Sequence, residues 1–261
     1  MFSLALLTAL AYAGLAVFFG TRLKKAQATA HHWLLFALLP AALHAWLLHI
    51  AIDTPQGQNL SLINIAGMVS WIIVLLLTIP AQTIASPLAI FALPVAAVLV
   101  LLQPLLPSEH ILQLKGHWTS LLHIFSALLA YSLLLVAAVQ ALLLWYFERK
   151  LRSNPTTVSV LLPPLTLQET FLFRVISTGF GLLTLSLLVA VLALHELIAT
   201  QPLHKAIFSL LSWMTFAVLL VGRVKYGWRG RHAVRWTLVG FALLALGYVG
   251  SRVVLEYILK R

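Results

Sequence analysis

Histidines are the residues with the greatest capacity for chemistry in this 261-residue chain, which contains ten of them. There is no cysteine, and aspartate and glutamate together number only six. A neutral imidazole is a good ligand for transition metals. His117 and His123 are the clearest candidates, because they open a long apolar stretch, Gly116–Trp145.

The length of that stretch predicts where His123 lies. No charged residue interrupts the chain between Lys115 and Glu148. If Trp145 marks one membrane interface, where tryptophan tends to lie, His123 is roughly 33 Å away along a helix axis. A hydrocarbon core is roughly 30 Å thick. We therefore expect His123 at the opposite interface and His117 just outside it.

The composition indicates that lipid surrounds the protein. Hydrophobic residues make up 62% of the chain and charged residues 9%, whereas a soluble domain has about 25% charged residues. Continuous apolar runs favour helices over a closed barrel. We predict an all-α fold, an integral membrane helix bundle that forms a single membrane domain over 1–261, with the lipid bilayer as its partner.

Eight apolar runs are each long enough to be a transmembrane helix. Pro94 should kink the fourth, a capping box at Thr166–Glu169 should start the sixth, and Gly240, Gly247 and Gly250 should allow close packing of the eighth. The predicted spans are Met1–Gly20, Trp33–Ala51, Ser61–Thr78, Ile84–Gln103, Gly116–Trp145, Phe171–Leu194, Ile207–Gly222 and Trp236–Tyr257.

Basic residues predict the orientation. Twelve lysines and arginines fall on one set of loops and five on the other, and basic loops stay on the cytoplasmic side. Both termini should therefore be extracytoplasmic, and the first span should be a signal anchor rather than a cleaved signal. The same rule explains the net charge of +11 and the basic loop Arg223–Arg235, so no nucleic-acid partner is expected.

With this orientation, six histidines gather towards the outer face: His49, His110, His117, His123, His195 and His204. His44 lies deeper, within the second span. An ionisable residue at this depth usually faces the bundle interior, where His44 could bind a ligand or hydrogen-bond to a neighbouring helix. His123 could bind a metal or reach interfacial water. An interfacial anchor explains His117, and a solvated loop explains His204.

Haem is the ligand that suits such a bundle, because haem iron takes axial histidine and the helices supply an apolar slot. Lys115, Lys205 and Arg252 could bind the propionates, although Arg252 could instead pair with Glu256. A bare Zn²⁺ or Cu²⁺ site is an alternative, with few carboxylates to support it. No nucleotide-binding loop and no Ser-His-Asp pattern is present, which argues against an independent enzyme.

The same residues resemble a known family. The segment GHWTSLLHIFSALLAY is similar to the histidine helix of the cytochrome c assembly proteins of the CcsA/ResC/CcmC group. The likeness continues through LPPLTLQETFLFRVISTGFGLLTLSLLV, HKAIFSLLSW and KYGWRGR. With GQNLSLINIAGMVSW it is nearest to the YpjD/HemX branch, and it is strongest over about 58–257.

The resemblance implies handling of haem b in the bacterial cell (inner) membrane, with haem presented on the outer side for attachment to cytochrome c. His123 takes the place of the family's first outer haem histidine, and His44 resembles its transmembrane haem histidine. The second axial ligand could come from His44, His117 or His204.

Two family features are missing from this sequence. The loop His195–Lys205 contains no tryptophan, and no histidine follows the last span. Full synthase activity is therefore not expected.

The favoured hypothesis is a membrane haem-handling protein with His123 as an axial ligand, acting beside other cytochrome c biogenesis or membrane proteins. One alternative is a non-enzymatic scaffold or regulatory subunit that has lost the haem-presenting site. Another is an accessory to metal or solute transport.

Overall fold

A computed structural model describes residues 1–24, 35–78, 85–106, 110–114, 116–153, 164–192 and 203–250. These ranges contain eight α-helices and three short strands. The helices are α1 (Phe2–Lys24), α2 (Leu38–Ile52), α3 (Leu62–Leu77), α4 (Ala85–Leu105), α5 (Trp118–Ser153), α6 (Leu165–Leu192), α7 (Leu203–Tyr226) and α8 (Arg231–Ala245), which continues as a π-helix over Leu246–Gly250.

Seven stretches of the described chain are long and apolar enough to cross a membrane. The predicted third span is the exception, because α3 has 16 residues and rises only about 24 Å. Eight crossings and extracytoplasmic termini therefore stay predictions. The seven are Phe2–Arg22, Leu35–Ile52, Pro87–Leu105, Trp118–Arg152, Leu165–Leu192, His204–Tyr226 and Arg231–Gly250.

The chain divides into two compact units, the first of which contains α1–α4. Its most extensive contact is between α1 and α4, and α3 packs against both α2 and α4. The fully buried side chains here include Tyr12, Phe19, His44 and Leu93. Pro94 lies inside α4 without ending it.

A three-stranded antiparallel sheet joins two loops of this first unit. Its strands are β1 (Asp53–Thr54) and β2 (Gly57–Asn59), between α2 and α3, and β3 (Ile111–Leu112), after α4. The side-chain oxygen of Asn59 accepts the backbone N–H of His110 at 2.9 Å, and the Leu60 N–H donates to the His110 carbonyl at 2.8 Å. The two loops therefore lie at one end of this unit.

The second unit contains α5–α8, and its most extensive contact is between α5 and α6. Close packing is confirmed at two of the three predicted glycines. A Cβ on Gly240 would lie 2.9 Å from the Phe216 ring, and one on Gly247 would lie 2.8 Å from the Phe208 Cβ, whereas one on Gly250 would meet nothing within 4 Å.

The start of α6 differs from the prediction. The helix begins at Leu165, just after Pro164, so Thr166 lies inside its first turn and is not the N-cap. The Glu169 carboxylate instead accepts the backbone N–H of Gly230 at 3.0 Å. This contact ties α6 to the residue that precedes α8.

Candidate functional site

His123 lies in the second turn of α5 with its ring turned towards α6. The side chain is half-buried. Its Nδ1 is 3.0 Å from the backbone carbonyl oxygen of Ser186 and 3.1 Å from the Ser186 hydroxyl oxygen. Ser186 is buried, so this contact forms part of the α5–α6 interface.

The Ser186 contact determines which nitrogen of His123 can bind a metal. A carbonyl oxygen only accepts hydrogen bonds, so Nδ1 must carry the proton when this bond forms. The Ser186 hydroxyl is 3.4 Å from the His123 carbonyl, to which it can donate. Nε2 then keeps its lone pair, and it has no hydrogen-bond partner within the described ranges. An imidazole held through one nitrogen by a backbone carbonyl is the usual arrangement of a metal-binding histidine.

Small residues follow His123 and Ser186 along the two helices. Ala127 lies one helical turn beyond His123, and Ala190 lies one turn beyond Ser186; both are half-buried. Residues four apart lie on the same helix face. Neither helix therefore places a bulky side chain at the next position along the face that carries the imidazole contact.

His44 lies in the first unit and is completely buried in α2. Its Nδ1 is 3.4 Å from the Tyr12 hydroxyl of α1, and the two rings pack edge to face with centroids 5.9 Å apart. This contact matches the interpretation of His44 as an imidazole hydrogen-bonded to a neighbouring helix.

The other nitrogen of His44 has no such partner. Nε2 is buried and makes no hydrogen bond to the residues that the structure describes. A Cβ on Gly67 of α3 would lie 3.7 Å from it, so Nε2 faces the backbone of α3.

The remaining predicted site residues lie at helix ends or outside the described ranges. His117 is exposed and immediately precedes α5, and His204 is exposed in the first turn of α7. The Lys205 ammonium lies 5.7 Å from the centre of the Tyr248 ring. Arg252, Lys115, His195 and Glu256 lie outside the described ranges.

A site for a bare metal ion is not found among the described residues. They contain no group of three or more histidines, aspartates and glutamates that could hold a metal ion. A bare Zn²⁺ site normally takes three or four protein ligands. Haem iron needs only one or two, because the macrocycle supplies the other four. A single imidazole, which is what the described residues around His123 offer, is a number of protein ligands that haem iron accepts.

Sequence reasoning missed the partners of both histidines. Ser186 and Tyr12 each lie within a long apolar run, and polarity was the only signal that set them apart. Their contacts with the histidines can be identified only when the register between the two helices is known.

A known protein family and several known proteins are similar to this chain. The cytochrome C assembly protein family matches residues 31–259. Inner membrane protein YpjD of Escherichia coli K12 is 32% identical over 258 residues, which cover 97% of this chain and 98% of that protein. Cytochrome c biogenesis protein CcsA of Chlamydomonas reinhardtii is 23% identical over 181 residues, 68% of this chain and 48% of that protein.

A second CcsA protein, from Synechococcus elongatus, is 32% identical over 82 residues, 30% of this chain and 25% of that protein. No solved structure gives a significant match. The family match covers most of the chain, and the similarity to YpjD runs through nearly all of it. The chain belongs to the cytochrome C assembly protein family.

Proposed function

We propose that this protein handles haem in the membrane, with His123 as an axial ligand, and takes part in cytochrome c biogenesis. The observation that carries the proposal is the His123–Ser186 contact, which leaves Nε2 available as a donor. Two relatives are named as cytochrome c biogenesis proteins. Family membership supports a role in the same process.

The residues around His123 suit haem. Nδ1 of His123 is held by the Ser186 carbonyl, which fixes the plane of the ring before any ligand arrives. When bound, haem supplies an iron centre to which Nε2 can donate. Our proposal assigns the first axial position to His123 rather than to His44, because His44 is enclosed by Tyr12 and Gly67.

The second axial position and the propionate contacts are assigned from sequence. His117 and His204 are the candidates, because they are exposed residues in the same unit as His123. His44, the third candidate from the sequence, belongs to the first unit and is not assigned. Lys205 is the candidate propionate cation within the described ranges, with Arg252 and Lys115 beyond them. The proposed haem is haem b, which binds without a covalent bond; the chain has no cysteine to attach a haem covalently.

The proposed setting is the bacterial inner membrane, crossed several times, with His123 at the outer face. YpjD is itself named as an inner membrane protein, and the seven long apolar helices suit that setting. The sequence lacks the tryptophan-rich loop and the last outer histidine of the larger family members. We therefore propose an assembly or regulatory factor that binds haem and is not an independent catalyst.

The haem content of wild type and three variants tests this proposal. The protein is purified in mild detergent from cells supplied with a haem precursor, and bound haem is measured by the pyridine haemochrome method. We expect His123→Ala to lose most of the haem and His232→Ala, an exposed histidine in α8, to retain it. His123→Gly with added imidazole should regain the axial ligand and its absorption spectrum.

Two results would contradict the proposal. One is a wild-type protein without haem even after supplementation. The other is His123→Ala with the haem content of wild type. In either case the scaffold hypothesis takes precedence, and it expects cross-linking to recover the same partner from wild type and His123→Ala.

A further inference from the structure

The second unit contains an open cleft beside the first half of α6, away from the end of that helix that contacts His123. Its volume is about 500 Å³, and it is lined by Thr170, Phe173, Arg174, Ser177, Thr178 and Arg223. Five residues of the lining belong to α6 and one to α7. The lining holds two guanidinium groups, three hydroxyl groups and no carboxylate, which is the composition expected for an anion site.

Arg223 is fixed in position beside the cleft. Its guanidinium lies 4.5 Å from the centre of the Phe173 ring and donates to the Trp228 carbonyl at 3.2 Å. This bond uses only one of the five N–H donors of a guanidinium. The remaining N–H groups are held next to the cleft at little entropic cost.

Arg174 and Ser177 supply donors that no other described residue uses. Arg174 is exposed, and neither side chain has a hydrogen-bond partner within the described part of the chain. Thr178 differs, since its hydroxyl donates to the Arg174 carbonyl at 3.0 Å. The cleft therefore offers an exposed arginine, an arginine held by two contacts, and an exposed serine hydroxyl.

One exposed face of α6 runs from this cleft into an apolar surface. Beyond Ser177 the exposed positions on the same face are Gly181, Leu185, Leu188 and Leu192. The rise from Arg174 to Leu185 is roughly 16 Å, about the depth of one leaflet, because the hydrocarbon core is roughly 30 Å thick. This face is polar at one end and apolar over a leaflet's depth, as a phospholipid is.

We propose that the cleft binds the phosphate head group of an anionic phospholipid, whose acyl chain lies along the apolar part of the α6 face. The ligand class is a phosphate monoanion, and the apolar continuation favours a lipid over free phosphate. The exposed basic residues nearest to Arg223 in the sequence are Lys225, Arg229 and Arg231, and they attract anionic head groups to this end of the protein. The lining contains no histidine, so the cleft offers haem iron no axial ligand.

Native mass spectrometry of the full chain in neutral detergent tests the proposal. Phosphatidylglycerol is titrated against wild type, Arg174→Gln and the control Arg235→Gln, an exposed arginine of α8 outside the cleft. We expect Arg174→Gln to weaken phosphatidylglycerol binding about tenfold, as for the loss of a hydrogen bond to a charged group. Arg235→Gln should change it less than about twofold.

Further measurements in the same experiment distinguish binding of the anionic lipid from binding of a neutral lipid or of inorganic phosphate. Phosphatidylcholine, which carries no net charge, should bind more weakly than phosphatidylglycerol, and millimolar inorganic phosphate should not displace the lipid. Ser177→Ala changes one small exposed side chain and should weaken binding about threefold, which keeps the test valid if Arg174→Gln misfolds. Equal binding by all variants, equal binding of the two lipids, or displacement by inorganic phosphate would overturn the proposal.

Discussion

The packing of α5 against α6 depends on the absence of a side chain at Gly179. This glycine is buried, and a Cβ built on it would lie 2.9 Å from Leu134 Cδ2, 3.0 Å from Leu134 Cγ and 3.3 Å from Leu133 Cβ. Carbon atoms in favourable contact are about 3.5–4.0 Å apart. Leu134 is fully buried, so it can make room only against the residues packed around it. Gly179→Ala must therefore displace Leu134 within the core or push the two helices apart.

The expected cost follows from two opposing terms. Overpacking a well-packed interface costs about 1–3 kcal/mol. Alanine regains at most about 1 kcal/mol of helix propensity, and less in a membrane span, where the unfolded chain remains largely helical. We expect a net destabilisation of about 1–2 kcal/mol. At roughly 2–4 °C for each kcal/mol in a chain of this size, the Tm should fall by several degrees.

Gly181→Ala is the matched control on the same helix. Its Cβ would meet nothing within 4 Å, so only the propensity term applies and the Tm should stay unchanged or rise. Both variants are heated in the same detergent, and the folded fraction is followed by size-exclusion chromatography. A Tm for Gly179→Ala equal to or above that of wild type would refute the argument, as would an equal loss in Gly181→Ala.

Two further predictions concern single contacts. The Trp213 indole N–H donates to the Thr184 hydroxyl at 2.9 Å. A double-mutant cycle of Trp213→Phe, Thr184→Val and the double variant should give a coupling free energy of about 0.6–1 kcal/mol, which is typical of such hydrogen bonds in membranes. Strictly additive effects of the two substitutions on stability would contradict this prediction. Gly57 has φ +142°, and its Cβ would lie 2.6 Å from the Leu112 carbonyl oxygen, so Gly57→Ala should open the small sheet. Hydrogen exchange at the Leu60 amide should then be faster in Gly57→Ala than in Gln56→Ala, and equal rates would show that the sheet tolerates the Cβ.

The membrane helices follow from the lengths of the apolar runs, but their ends do not. The fifth run ends at Trp145 in the sequence, whereas α5 continues to Ser153. Glu148 and Arg152 are one turn apart and pair at 2.8 Å, which extends the helix beyond the apolar region. At α6 the capping-box pattern gave the wrong start, because Glu169 binds Gly230 from another part of the chain.

The sequence was enough to predict the two histidines of the candidate site but not the residues that they contact. Imidazoles stand out in apolar runs, so residue type and depth were enough to select His123 and His44. Their contacts with Ser186 and Tyr12 depend on the rotation of one helix against another. Apolar runs that are hydrophobic all round leave that rotation undetermined. The sheet that links the two loops of the first unit was missed too, since strands of two or three residues carry no visible alternation.

The length of α5 has a mechanical consequence. Its 36 residues form a rod of roughly 54 Å that contains no proline or glycine, the residues at which helices usually bend. A tilt of about 10° around its midpoint would therefore carry each tip roughly 5 Å sideways, in opposite directions. A sideways shift of the His123 end of this rod would then be matched by an opposite shift at Arg149 and Arg152, near its other end.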